Sequence, residues 1–185
     1  ITDDYNGYRQ EGMCRMDMTV KNGVRCSTAN AYLKPVLDRS NLTVLMHALI
    51  KKVVLEGKKA IGVEFERDGK TQMIKANREV ILSAGSIGSP QIMQMSGIGP
   101  SQVLKDAGIE VVHELPGVGA NLHDHLESVI QYETKLPVSL NRHMGPLGKF
   151  LIGARWYFFK SGLGATNHFE STGFIRTRAG LKWPN

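Results

Sequence analysis

The segment REVILSAG, residues 78–85, is a continuous apolar run that closes in small residues. Such a run suits a strand buried on both faces, as in a parallel sheet. Small residues continue through Ser86 and Gly88 into SPQIMQMSG, which reads as a short helix with Pro90 in its first turn and Gly97 at its end. Strand, small-residue turn and helix, in that order, describe where open α/β sheets bind cofactors, outside the carboxyl end of a strand. Without Cβ bulk the backbone approaches a ligand closely, and free N–H groups face a phosphate. Tight packing of helix on strand accounts for the same glycines equally well. GIGPSQ and GVGANL each lack the last glycine of a GxGxxG loop, and no dinucleotide fingerprint stands elsewhere in the chain.

The flanking segments predict a mixed α/β chain. Around Met16–Val20 a short strand is expected, and STANAYLKPVL reads as a helix capped by Ser27 or Thr28 and closed near Pro35. LTVLMHALIKKVVLEG predicts two strands with a bend near His47. KAIGVEFERDGKTQMIKA predicts a hairpin, because Ile61, Val63 and Phe65 alternate with polar positions and Asp68-Gly69 supplies the turn. GPSQVLKDAG reads as a second short helix capped by Ser101. ESVIQYETK alternates like a strand, GPLGKFLIGARWYFFKSG spaces its apolar residues as an amphipathic helix, and HFESTGFIRT has strand character. Within that helix, the aromatics of WYFFK (Trp156 to Lys160) point different ways, so core packing is the default over an ammonium cage or a membrane-facing patch.

The composition, 42% hydrophobic and 22% charged, excludes a disordered chain. The net charge of +6 permits an acidic partner or a membrane surface, but the cations are scattered and no nucleic-acid motif is present. No apolar run approaches the length of a membrane span. Cys14 and Cys26 form no CxxC pair and read as reduced thiols. The chain opens without methionine and stops in mid-pattern, so it is expected to be a fragment.

The densest polar cluster is NLHDHLE, residues 121–127. His123 and His125 stand two apart, on opposite faces of a strand and nearly opposite sides of a helix, which is poor spacing for a metal. Asp124 and Glu127 would share one helical face as an acid/base pair. Asn121 and Asp124 suit a loop whose side chains satisfy the backbone. Residue types alone leave the choice open.

GSIGSPQIMQMSGIG, residues 85–99, matches position by position the second signature of the glucose–methanol–choline (GMC) oxidoreductases: Gly/Ser, a small residue, two free positions, Ser/Thr-Pro, one free, two aliphatic, two free, then Ser-Gly-aliphatic-Gly. KAIGVEF before it and LPGVGANLHDHLE after it agree, and the chain resembles the family along nearly its whole length. DYNGYRQEGM, DMTVKNGVRCSTANAYLKP and GATNHFESTGFIRT look most like the members that act on choline. The resemblance implies that residues 1–126 are part of a Rossmann-like FAD-binding domain and that 127–185 begin a substrate domain with an antiparallel sheet. It implies FAD as cofactor and oxidation of choline to betaine aldehyde by hydride transfer to the flavin N5, with another primary alcohol, or a non-catalytic truncated binding product, as alternatives. The phosphate loop is expected upstream of Ile1 and the catalytic histidine base beyond Asn185, so the piece alone is expected to be inactive.

The resemblance also assigns residues. Ile50 meets the adenine through its backbone, although its β-branched side chain suits plain core equally. Ala84 and Gly85 line the adenosine and ribose. Glu127 faces the trimethylammonium group, which offers no N–H and is held by charge and aromatic faces. His125 supports the transition state or proton movement. His123, where relatives more often carry Gln, is expected to be exposed and dispensable. No residue is expected to bind a metal. A quinone is the expected electron acceptor, and animal members place the enzyme at the mitochondrial inner membrane.

Overall fold

The computed structural model describes residues 1–184. In chain order the elements are β1 (Gly12–Arg15), β2 (Val20–Lys21), β3 (Val24–Arg25), β4 (Leu49–Glu56), β5 (Lys59–Arg67), β6 (Lys70–Lys75), α1 (Gly85–Met95), β7 (Ile98–Gly99), α2 (Ser101–Asp106), β8 (His113–Glu114), α3 (Pro146–Phe159) and β9 (Ser171–Phe174). The chain divides into two compact units, residues 44–130 and residues 1–43 with 131–185.

In unit 44–130, β4, β5 and β6 form an antiparallel meander. The β5–β6 hairpin follows the expected register: Arg67 pairs with Lys70 across Asp68-Gly69, both at positive φ (53° and 71°), as a two-residue primed turn demands. Val53 and Phe65 are buried on one face of this sheet, and α1 packs against β4. The join is Ser96, just past the end of α1. Its hydroxyl donates to the Ile92 carbonyl (2.6 Å) and accepts from the Val53 N–H (2.8 Å), in a site that leaves Ser96 only 7% exposed. Gly97 then turns at φ 79°, where a Cβ would stand 2.6 Å from the Glu110 carbonyl oxygen. The turn sends β7 alongside β8, with which it pairs in parallel. Leu104 of α2, 1% exposed, fills the space beneath.

In the other unit β1 pairs with β9 in an antiparallel ladder from Gly12–Phe174 to Arg15–Ser171. Arg176 and Glu11 form an ion pair beside it. The β2–β3 hairpin turns at Asn22-Gly23, both at positive φ, and its Gly23 carbonyl accepts a 2.7 Å hydrogen bond from the Trp156 indole N–H of α3.

Several expected elements differ. REVILSAG is not a buried strand: residues 79–83 have no regular structure, no described strand pairs with them, and Ile81 is 75% exposed. A parallel strand exists only through its neighbours, and the described chain offers this one none. ESVIQYETK likewise forms no strand, and residues 127–135 are exposed throughout. The N-terminal strand lies at Gly12–Arg15 rather than Met16–Val20, because β9 offers its edge there. Of the two strands expected around His47, only β4 forms, after a bend at His47 (φ 57°). STANAYLKPVL winds as a π turn at Ala29–Leu33 and a 3₁₀ turn at Lys34–Val36, with Ser27 Oγ accepting from the Asn30 N–H. Helix α1 begins at Gly85, so Pro90 lies inside it. Ser101 is the first residue of α2, not its cap; its N–H donates to Glu114 Oε2 (2.9 Å), a carboxylate from β8 doing the capping instead. Tyr157, Phe158 and Phe159, expected in the core, are exposed.

Replacing Ser96 by Ala removes the acceptor of a buried backbone N–H. Ser96→Ala should destabilise the intact natural polypeptide by about 1–3 kcal/mol, read from its urea unfolding midpoint, whereas Ser96→Thr should retain most of the loss-free bonding.

Candidate functional site

A cavity of about 840 Å³ in unit 44–130 opens between α1 and the loop 117–123. Ile87, Pro90, Met93, Val118 and Leu122 give it apolar walls, and Ser86, Ser89, Asn121 and His123 add polar groups. Its shape depends on Gln94. This side chain reaches from α1 to donate to the Val118 carbonyl (3.1 Å) and so pins the loop. Gly119 follows at φ 78°, and a Cβ there would stand 2.9 Å from Gln94 Nε2. Gln94 occupies a free position of the family signature, so no pattern marks it; only the approach of the loop gives it a partner.

At the mouth of α1, Ala84 is the N-cap residue (φ −89°, ψ 12°), and its own N–H donates to Ser89 Oγ (2.9 Å). Gly85 sits at φ 83°, and nothing lies within 4 Å of where its Cβ would be. No side chain caps the helix, so its first N–H groups have no intrahelical acceptor. An open glycine and an uncapped helix start therefore coincide here, after a segment with no regular structure. Ile50 stands on β4, half-buried, paired with Phe65.

Residues 121–130 have no regular structure. Asn121 takes a left-handed conformation (φ 55°), and Asp124 Oδ1 accepts the His125 N–H (2.8 Å), as loop-forming residues do. His123 is exposed at the cavity wall. His125 and Glu127 are exposed, and Glu127 has no hydrogen-bonding or ionic partner among the described residues. Ile50, Ala84, Gly85, His125 and Glu127 thus share one unit, but none of the five lines the cavity itself. Their sequence neighbours Ser86 and His123 do. Among the described residues no group of three or more His, Cys, Asp or Glu side chains is placed to hold a metal ion.

Residues 1–127 match the family model described as GMC oxidoreductase. The chain belongs to the GMC oxidoreductase family. It is 60% identical over 184 residues to a protein of Photobacterium profundum named oxygen-dependent choline dehydrogenase, covering all of this chain and 32% of that one. A protein of the same name from Vibrio vulnificus is 55% identical over the same length, with 33% of it covered. The chain thus spans about a third of the length of the curated relatives it matches. Among solved structures it is similar to an FAD-dependent oxidoreductase from Chaetomium thermophilum (TM-score 0.73, 26% identity, 88% of this chain and 30% of that one). It is also similar to a fungal aryl-alcohol oxidase (TM-score 0.73, 27% identity, 89% of this chain and 29% of that one). These matches make the chain a mixed α/β piece of the GMC architecture.

FAD is the cofactor of this family. The residues present fit part of it: the open backbone at Gly85 and the uncapped start of α1 can receive a phosphate-bearing ligand without a side chain in the way. Gly119→Ala should strain the left-handed loop by about 1–3 kcal/mol and push against Gln94. The intact flavoprotein carrying it should purify with less FAD per polypeptide, read from the ratio of flavin to protein absorbance.

Proposed function

We propose that this chain is part of an FAD-dependent alcohol dehydrogenase that oxidises choline to betaine aldehyde. The observation that carries this is the 60% identity, across the whole chain, with a protein named oxygen-dependent choline dehydrogenase. Residues 1–126 would belong to the FAD-binding domain, built on a Rossmann-like sheet, and 127–185 would begin the substrate domain. The family match ending at residue 127 supports that division. Residues 79–83, unpaired among the described residues, would then take their place in the parallel sheet beside strands that lie outside this sequence.

When bound, FAD supplies the hydride acceptor. The chain's own residues bind and orient. Main-chain atoms of Ile50 and the small residues Ala84 and Gly85 take the adenosine end. Glu127 presents its carboxylate to the trimethylammonium group. Its exposure and lack of a partner leave that charge uncommitted, and a cation with no N–H asks for charge rather than hydrogen bonds. His125, two residues earlier, supports the developing alkoxide or its proton. The base that takes the hydroxyl proton is a histidine outside this sequence.

A second reading has support from the solved structures: aryl-alcohol oxidase and formate oxidase share the fold and take other substrates. Glu127 separates the two, because a neutral alcohol has no use for its charge. For the electron acceptor, a quinone stands against oxygen, which the name of the relatives specifies. Oxygen uptake measured beside reduction of a soluble quinone distinguishes them. Association with an inner membrane belongs to the same proposal, mitochondrial in a eukaryotic source; the curated relatives compared are bacterial and lend the mitochondrion no support.

A carboxylate and an ammonium about 5 Å apart at an effective dielectric of about 20 attract by about 3 kcal/mol. Glu127→Gln should therefore raise the KM for choline about tenfold or more, with little change for a neutral primary alcohol. Unchanged choline affinity would remove Glu127 from the site.

A further inference from the structure

The side chain of Gln94 crosses from α1 to the loop 117–123 through a gap kept by two glycines. Its Cγ passes Gly99, where a Cβ would stand 3.1 Å away, and its Nε2 passes Gly119, where a Cβ would stand 2.9 Å away. Gly119 is also required by its φ of 78°, but Gly99 has no positive φ that would call for glycine. The bare Cα of Gly99 admits the Gln94 stem, with the Leu104 methyls 3.6 and 3.8 Å from the same point. The reach ends on a defined target: Nε2 donates to the carbonyl of Val118, a residue only 8% exposed.

Both ends of this bridge are fixed. At the α1 end, Ser96 ties the helix to β4 two residues further on. At the loop end, the Leu115 N–H donates to the Gly99 carbonyl (3.0 Å) and the Val118 N–H to the Leu115 carbonyl (3.2 Å), so the loop departs from a set point beside β7. Beyond Val118 the chain bends by its own local bonds. The Ala120 N–H donates to the Gly117 carbonyl (3.3 Å), Asn121 turns at φ 55°, and Asp124 Oδ1 accepts the His125 N–H. Such turns fix each residue relative to the one before it. The place of Val118 is thus the origin from which His125 and Glu127 are set.

We infer that Gln94 is a positioning residue for the substrate site: through the Val118 carbonyl it sets where the carboxylate of Glu127 stands. The inference rests on the reading above that Glu127 faces the trimethylammonium group, and it adds a residue that acts through the loop rather than on the substrate. The attraction between a carboxylate and a quaternary ammonium depends on their separation, and no N–H is there to steer it, so the placement of the carboxylate decides its effect. A group carried on a loop keeps such a placement only through the side chains that support the loop. An amide suits the task, because it donates to a carbonyl without bringing a charge that would pair with Glu127 or repel the cation.

The test is a double-mutant cycle on the intact natural polypeptide, carrying its flavin, with kcat and KM expressed per bound flavin. The substrates are choline and its uncharged isostere, in which carbon replaces the ammonium nitrogen. Gln94→Met keeps the length of the side chain and removes its N–H donor. It should raise the KM for choline about three- to tenfold. The kcat for choline and the KM for the isostere should change by less than about twofold. In a Glu127→Gln background the same replacement should change the choline KM by less than about twofold, because the charge it positions is gone. A merely structural role would move both substrates together and would multiply with Glu127→Gln. Either of those results overturns the inference, as does a Gln94→Met enzyme with unchanged choline KM. If Gln94→Met yields no folded flavoprotein, Gln94→Asn, which keeps the amide but shortens its reach, goes through the same cycle under the same criteria. Glu127→Gln that leaves the choline KM unchanged overturns the reading of Glu127 and this inference with it. A rise in that variant without one in the Gln94 variant overturns this inference alone.

Discussion

The hydroxyl of Ser96 is the point on which unit 44–130 turns. It sits where α1 ends, where β4 passes, and where Gly97 reverses the chain toward β7. A single Oγ accepts the Val53 N–H and donates to the Ile92 carbonyl, so it satisfies one backbone group on each of the two elements it joins. The Ile92 carbonyl also accepts the Ser96 N–H (3.0 Å), so in this nearly dry site the group that depends on the hydroxyl is the Val53 N–H, whose loss of a partner would cost about 1–3 kcal/mol. The consequence extends to the cavity. Once α1 is fixed against the sheet, Gln94 on its last turn reaches the Val118 carbonyl, and the loop that leads into residues 121–127 is held at a set distance from the helix.

The same unit shows what happens to apolar segments whose partners are not at hand. Val53, Phe65, Ile92, Leu104 and Val118 are the buried hydrophobic side chains among the described residues. Residues 79–83 carry the pattern of a doubly buried strand yet have no regular structure and no strand partner. The pattern describes an environment, two apolar layers and two flanking strands, and an isolated strand cannot create it. Hairpins need no such help. Lys59–Lys75 forms the expected meander because its partner strands are adjacent in sequence and Asp68-Gly69 supplies the left-handed turn.

The candidate site divides along the same line. Gly85 at the head of α1 was legible, because small residues between a strand pattern and a helix pattern have few other uses, and the structure leaves open space before its Cα. Gln94, Gly119 and the capping carboxylate of Glu114 were not legible. Each acts on a residue 13 to 25 positions away, and nothing in the local pattern distinguishes a Gln that holds a loop from one that faces solvent. His125 and Glu127 lie in a stretch with no regular structure, so their assignment rests on family resemblance rather than on assembled geometry.

By itself the sequence determined the family, through the fifteen-residue signature at 85–99, together with the β5–β6 hairpin and the helical spacing of α3. These are local properties: turn chemistry, periodicity and a fixed order of small and apolar residues within one or two elements. Only the tertiary structure decided that β1 joins β9 across more than 150 residues, that Ser96 locks α1 to β4, that Glu114 caps α2, and which face of α3 looks outward. Each of those depends on two distant segments meeting. A side chain's role is then set by what arrives opposite it, which no single stretch of sequence contains.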